Sequence, residues 1–183
     1  MSGLQLSPIV AGTSNLHRWS LGTPGLVRWI EQALDLGITS FDHADIYGGY
    51  TVEALFGQAL AAAPGLRQPL QVKALADGSL EQCADLGLRP MLWSPLAGGR
   101  LLTGDGDQER RVRAVLEPMA DNYSVTTAAL VFAWLLRHPS RPWPITGSGR
   151  LQGLREAVAA VTVQMSAEDW YRVWQASIGA EVP

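Results

Sequence analysis

Asp42 and Tyr47, five residues apart in the segment Phe41-Asp42-His43-Ala44-Asp45-Ile46-Tyr47-Gly48, are the pair best suited to chemistry. The carboxylate closes an apolar strand and the phenol falls in the turn after it. Lys73 closes the next apolar segment, in Gln71-Val72-Lys73. A tyrosine that ionises near pH 10 is a poor acid or base at neutral pH unless a cation lowers it. Lys73 can supply that cation for Tyr47, and Asp42 can hold the lysine charged and oriented. Three consecutive elements would then bring a tuned phenol to one mouth of a parallel sheet. The structural alternative is that Asp42 caps the turn, Tyr47 packs near the surface and Lys73 is solvated.

The elements that must position these groups alternate between short apolar strands and amphipathic helices, the pattern of a parallel α/β sheet. Residues 6–12 read as the first strand. Thr23-Pro24 opens a helix whose Leu26, Val27, Ile30, Ala33 and Leu34 share one face, and Gly37 ends it. Residues 38–42 form the second strand. The helix after it begins near Thr51 and buries Val52, Leu55, Phe56, Ala59 and Leu60. Residues 70–73 form the third strand. Ser79 to Gln82 reads as a capping box, and residues 90–93 form a fourth strand. Helices are expected over 107–119 and over 125–137, the second capped by Ser124. Residues 143–146 are the fifth strand and 151–161 its helix, and a last helix opens at Ser166 with Asp169 three residues on. No internal repeat or linker divides the chain, so residues 1–183 read as a single domain.

A chain of 183 residues with 47% apolar and 17% charged residues can bury a real core. It is short for a closed (β/α)8 barrel of about 250 residues. A net charge of −3 without basic clusters argues against nucleic-acid binding, and no apolar run approaches a bilayer span. Residues 1–10 carry no secretory signal pattern, and the single cysteine, Cys83, excludes an internal disulfide. These features point to the cytoplasm.

The order Asp42, Tyr47, Lys73 resembles the aldo-keto reductase family, whose catalytic Asp, Tyr and Lys follow in that order. Trp93-Ser94-Pro95-Leu96 is similar to that family's seventh strand and loop. Residues 144–156 are similar to its eighth strand and following helix. The resemblance implies a TIM-type barrel that is incomplete, with about five parallel strands. Residues 1–73 would match the first barrel units and 79–183 the last. A fourth catalytic residue of the family, a histidine on the following strand, has no counterpart. By the same resemblance Tyr47 donates a proton to a small aldehyde or ketone, Lys73 tunes it and Asp42 orients the lysine.

The implied cofactor is NADP(H). Trp93 would stack on the nicotinamide, with Ser94, Leu96 and the glycine pair beginning at Gly98 near the pyrophosphate. Gly12 and Thr13 resemble the family's first loop, where Ser14 replaces a bulkier residue. Gly147, Ser148 and Gly149 end a strand and open a helix, where free N–H groups favour anions. Ser148, with Arg150 or Arg155, would hold the 2′-phosphate. Gly153 and Ala157 depart from the arginine and asparagine of many relatives.

Strands seven, eight, one, two and three are neighbours around a closed barrel, so what remains can form one contiguous sheet with two new edges. Either the connection after Lys73 brings residues 90–93 beside 70–73 as a compact open sheet, or copies of the chain pair their edges as a homo-oligomer. His43 neighbours Asp42, so strand alternation points it to the opposite face and makes it structural. Trp29, Trp134, Trp143, Trp170 and Trp174 read as packing residues.

Overall fold

The computed structural model describes residues 6–44, 46–63 and 89–181. The expected strand at 70–73 with Lys73, the capping box from Ser79, Cys83 and Asp45 lie outside the described residues.

Among the described residues, four strands form one parallel sheet: β1 (Val10–Gly12), β2 (Ser40–Asp42), β3 (Met91–Leu92) and β4 (Trp143–Thr146). Their spatial order is β2-β1-β4-β3. Gly12 pairs with Asp42, Val10 with Ile145, and Met91 with Trp143. This is the barrel-like order that the resemblance implied, with β3 beside β4. The first strand is shorter than expected. Ser7 replaces ladder bonds with side-chain ones: its hydroxyl donates to the Ile9 carbonyl and accepts from the Thr39 and Ser40 amides. Such local side-chain bonding competes with sheet pairing.

Seven α-helices are described. They are α1 (Gly22–Asp35), α2 (Val52–Ala62), α3 (Arg100–Thr103), α4 (Asp107–Asn122), α5 (Thr127–Leu136), α6 (Leu151–Ala159) and α7 (Ala167–Ile178). Two ends differ from expectation. The α5 cap is Thr126, whose Oγ1 accepts from the Ala129 amide, while Ser124 takes a left-handed φ of 54° in the preceding turn. The α1 helix starts at Gly22 with Leu21 at its cap, so Thr23 supplies no capping bond. Ser166 caps α7 as expected, and its hydroxyl also donates to Asp169.

Alternation sorts the sheet residues between two faces. Ile9, Ala11 and Phe41 pack with α1, α2, α5 and α6 around Trp29, Ile30, Phe56, Phe132 and Leu154. Val10, Ile145 and Met91 form a smaller cluster with Leu6 and Trp143 on the other face. The α4, α5 and α7 helices enclose a third cluster around Leu116, Leu130 and Val173. Asp42, in register with Gly12, shares the Val10 face at the carboxyl end of its strand. Among the described residues, no helix is long and apolar enough to cross a membrane.

Candidate active site

The turn after β2 brings Tyr47 back over the strand end. Its amide donates to the Ala44 carbonyl, and Gly48 and Gly49 both adopt positive φ. Gly48 is required twice over, because a Cβ there would lie 2.8 Å from the His17 ring and 2.9 Å from Val52. The Tyr47 hydroxyl then donates to Oδ2 of Asp42 at 2.9 Å. Burial raises the Asp42 carboxyl above its ordinary value, and the Tyr47 hydrogen bond opposes that shift. Tyr47 is pushed up to about 12, first by burial and then by the hydrogen bond to Asp42 and its charge. The expectation was a phenol lowered by a cation; the described surroundings move it the other way.

Thr13 and His43 sit behind this pair. Thr13 is fully buried. Its amide and its Oγ1 both donate to the main-chain carbonyl of Asp42, at 3.2 and 2.7 Å. Oγ1 also lies 3.0 Å from Nδ1 of His43. The His43 ring meets Phe56 edge to face at 4.2 Å on the helix side of the sheet, as alternation required. Burial pushes its pKa down to about 4.

Two further segments reach the same end of the sheet. After β3 the chain bends through Ser94 and Ala97, both at φ 51°, and through Gly98 and Gly99 at 68° and 94°. Non-glycine residues in this region carry strain of order 1–3 kcal/mol, which clusters at ligand-binding loops. Trp93 stands 77% exposed at its start. After β4, residues 147–150 lead into α6. A Cβ on Gly147, Gly98 or Gly99 would meet nothing within 4 Å, so the backbone there faces open space. Ser148 folds back on its own turn, donating to the Arg150 carbonyl and accepting from its amide. Its Oγ occupies the space a Cβ on Gly153 would need, which is why glycine stands there.

These pieces enclose one cleft of about 690 Å³. Of the expected residues, Gly12, Asp42, Tyr47, Trp93, Ser94, Leu96, Gly98, Gly147, Ser148, Gly149 and Arg150 line it. Two fall elsewhere. Thr13 lies beneath the wall with its hydroxyl already bonded. Arg155, four residues into α6, faces a separate groove with Asp121, Thr126 and Gln152. Lys73 lies outside the described residues. Sequence reasoning missed Asn15, Trp19, Phe132 and Ile145, which also line the cleft. Trp19 packs directly on Gly149, where a Cβ would lie 2.6 Å from its ring. That glycine was legible as a turn residue but not as a seat for an indole. Among the described residues, no group of three or more His, Cys, Asp or Glu is placed to hold a metal.

Comparison with known proteins agrees with this architecture. The chain is 27% identical over 297 positions to the oxidoreductase YdhF of Escherichia coli, covering 99% of this chain and 97% of that protein. It is 32% identical over 148 residues to the 6-dehydroglucose reductase of Novosphingobium aromaticivorans, covering 81% of this chain and 48% of that one. The crystal structure of an aldo/keto reductase from Klebsiella pneumoniae in complex with NADP and acetate superimposes with a TM-score of 0.69. The sequences are 16% identical, and 96% of this chain and 92% of that one are covered. The model of the Aldo/keto reductase family matches residues 8–76 and 72–178. With nearly the whole length matched, the chain belongs to the aldo/keto reductase family.

Proposed function

We propose that this protein is an NADP(H)-dependent oxidoreductase that reduces small aldehydes or ketones, with Tyr47 as proton donor. One observation carries the reading: the Asp42–Tyr47 pair opens into the same cleft as the 93–99 and 147–150 segments. A volume of about 690 Å³ is within the usual range for ligand sites. The residues present fit a dinucleotide. Gly98, Gly99 and Gly147 leave their backbone approachable, Arg150 supplies a cation for phosphate, and Trp93 offers an exposed aromatic face. NADP in the Klebsiella pneumoniae structure and the name of the Novosphingobium protein, a 6-dehydroglucose reductase, support the same cofactor and substrate class.

When bound, the reduced nicotinamide supplies a hydride to the carbonyl carbon. The chain itself must deliver a proton to the oxygen. A phenol held near pH 12 stays protonated at neutral pH. It is still a stronger acid than an alkoxide's parent alcohol, comparable with water at about 15.7. Donation in the reducing direction is therefore downhill, whereas the reverse oxidation needs a phenolate that Asp42 disfavours. Lys73, by the family order, would moderate this. Carbonyl-dependent oxidation of NADPH, lost in Tyr47→Phe, is the expected result. Equal turnover by both proteins would remove Tyr47 from the chemistry.

A second reading, cofactor binding without turnover, is favoured by the direct bond between Tyr47 and Asp42. It predicts that NADPH quenches tryptophan fluorescence through Trp93 or Trp19 with no carbonyl reduced.

The same proposal treats the chain as a barrel segment. An alignment of 297 positions to 183 residues leaves over a hundred positions of YdhF without a counterpart. The two family blocks meet at residues 72–76. A barrel lacking inner units leaves sheet edges that a second copy can cover, and light scattering at micromolar concentration tests that association.

A further inference from the structure

His43 is a half-buried titratable group that the proposed chemistry leaves unused. It nevertheless touches the structure that holds Asp42. The Asp42 main-chain carbonyl can only accept, so the single proton of the Thr13 hydroxyl goes to it across 2.7 Å. Toward His43, at 3.0 Å, Thr13 must then accept, and Nδ1 must donate. A neutral imidazole carries one N–H, which leaves Nε2 bare. The surroundings agree: Nε2 is buried with no hydrogen-bond partner among the described residues. A bare acceptor is tolerated there better than an orphaned N–H. The ring is fixed by its edge-to-face contact with Phe56, 4.2 Å away. Its burial, which keeps it neutral down to about pH 4, excludes the second N–H.

We infer that His43, as its Nδ1–H tautomer, is a positioning residue: it aims the Thr13 hydroxyl at the Asp42 carbonyl and so fixes the carboxylate that anchors Tyr47. The relay runs from His43 to Thr13 at the end of β1, on to the end of β2, and through Asp42 Oδ2 to the phenol. Each link except the last is out of the cleft, so the relay sets geometry without touching substrate. Its catalytic consequence rests on the function proposed above, whereas the tautomer does not.

The test compares Thr13→Val, His43→Phe and His43→Asn in the full chain. Thr13→Val removes the hydroxyl at constant shape. His43→Phe keeps an aromatic ring but no donor, and His43→Asn places an amide N–H near the Nδ1 position. Displacements of about 1 Å at a reacting group cost up to about 100-fold. We expect kcat to fall about tenfold or more in Thr13→Val and His43→Phe, with the KM for NADPH little changed, and His43→Asn to recover most of it. A His43→Phe protein with wild-type kcat, or a His43→Asn protein as impaired as His43→Phe, overturns the inference. If the wild type shows no turnover, the functional reading fails instead. Ring ¹⁵N shifts of wild-type His43 then still decide the tautomer, and an Nε2–H signal overturns it. Hydrogen exchange at the Thr13 amide, expected to quicken in His43→Phe and not in His43→Asn, reads the same relay without substrate.

Discussion

The Tyr47 hydroxyl donates to Oδ2 of Asp42 across 2.9 Å, so phenol and carboxylate act as one unit at the floor of the cleft. The folded state raises the phenol from 10.0 to about 12. A group raised on folding contributes stability that is complete below its unfolded value and lost as pH rises through the folded one. Tyr47 therefore favours the fold up to about pH 10, and the benefit disappears on passing about 12. Tyrosinate absorbance should show a late step that is absent in Tyr47→Phe. Carbonyl reduction should fall by at least ~100-fold in that variant, the usual scale for a lost acid–base group.

Burial comes before Asp42 among the causes of that shift. Removing the charge in Asp42→Asn should thus return the Tyr47 midpoint only part of the way to 10. A return all the way would mean that the carboxylate, not desolvation, dominates. The same spectroscopic titration distinguishes the two outcomes.

His43 makes the protein sensitive to acid. Its pKa falls from 6.5 to about 4 on folding, so the unfolded chain binds the extra proton between those values. The stability held by the neutral ring is complete above about pH 6.5 and lost as pH drops through about 4. Those values bound the loss at about 3 kcal/mol. Asp42, raised by burial, has the opposite slope in its own range and offsets part of this. Urea midpoints measured from pH 7 to pH 4 should decline more steeply for wild type than for His43→Phe.

What the sequence made legible follows from how local each signal is. The strand at 143–146 and the Ser166 cap with Asp169 are set by neighbouring residues, and both stand where the pattern placed them. The 93–99 and 147–150 segments announced themselves through glycines and a strand end. Ser124 and Thr126 offer two equivalent hydroxyls, and only the turn closing α4 decides that Thr126 caps α5. Thr13 read as a cofactor contact because its burial depends on Asp42 and His43, thirty residues away. Trp19 was invisible as a cleft residue for a similar reason: its place is set by the missing Cβ of Gly149.

That missing Cβ is testable. In Gly149→Ala the new methyl would sit 2.6 Å from the Trp19 ring, itself packed 4.9 Å from Trp29. Trp29 blocks one side of the indole, which can yield only toward the cleft it lines, so overpacking should cost about 1–3 kcal/mol. In Gly153→Ala the collision is with Oγ of Ser148. Ser148 is on an exposed turn and can swing away, breaking its bonds to Arg150. The first variant should lose thermal stability. The second should lose less and change NADPH affinity, read by fluorescence titration. Equal losses of stability would show that the Ser148 turn is as rigid as the Trp19 seat.

Trp134 and Trp170 join α5 to α7 by a reciprocal pair of bonds. Each indole Nε1–H donates to the other's main-chain carbonyl, at 3.0 and 2.9 Å, and the rings lie 5.5 Å apart at 16°. Either single change to phenylalanine removes one indole hydrogen bond, costing about 0.5–1.5 kcal/mol. The two contributions should not add, since both bonds and the stacking depend on one helix spacing. Contacting residues typically couple by about 0.5–3 kcal/mol. Urea denaturation of Trp134→Phe, Trp170→Phe and the double variant should therefore give a double loss smaller than the summed single losses. Strict additivity would mean that each bond forms independently of the other, and that the helix spacing is held by the Leu116, Leu130 and Val173 cluster instead.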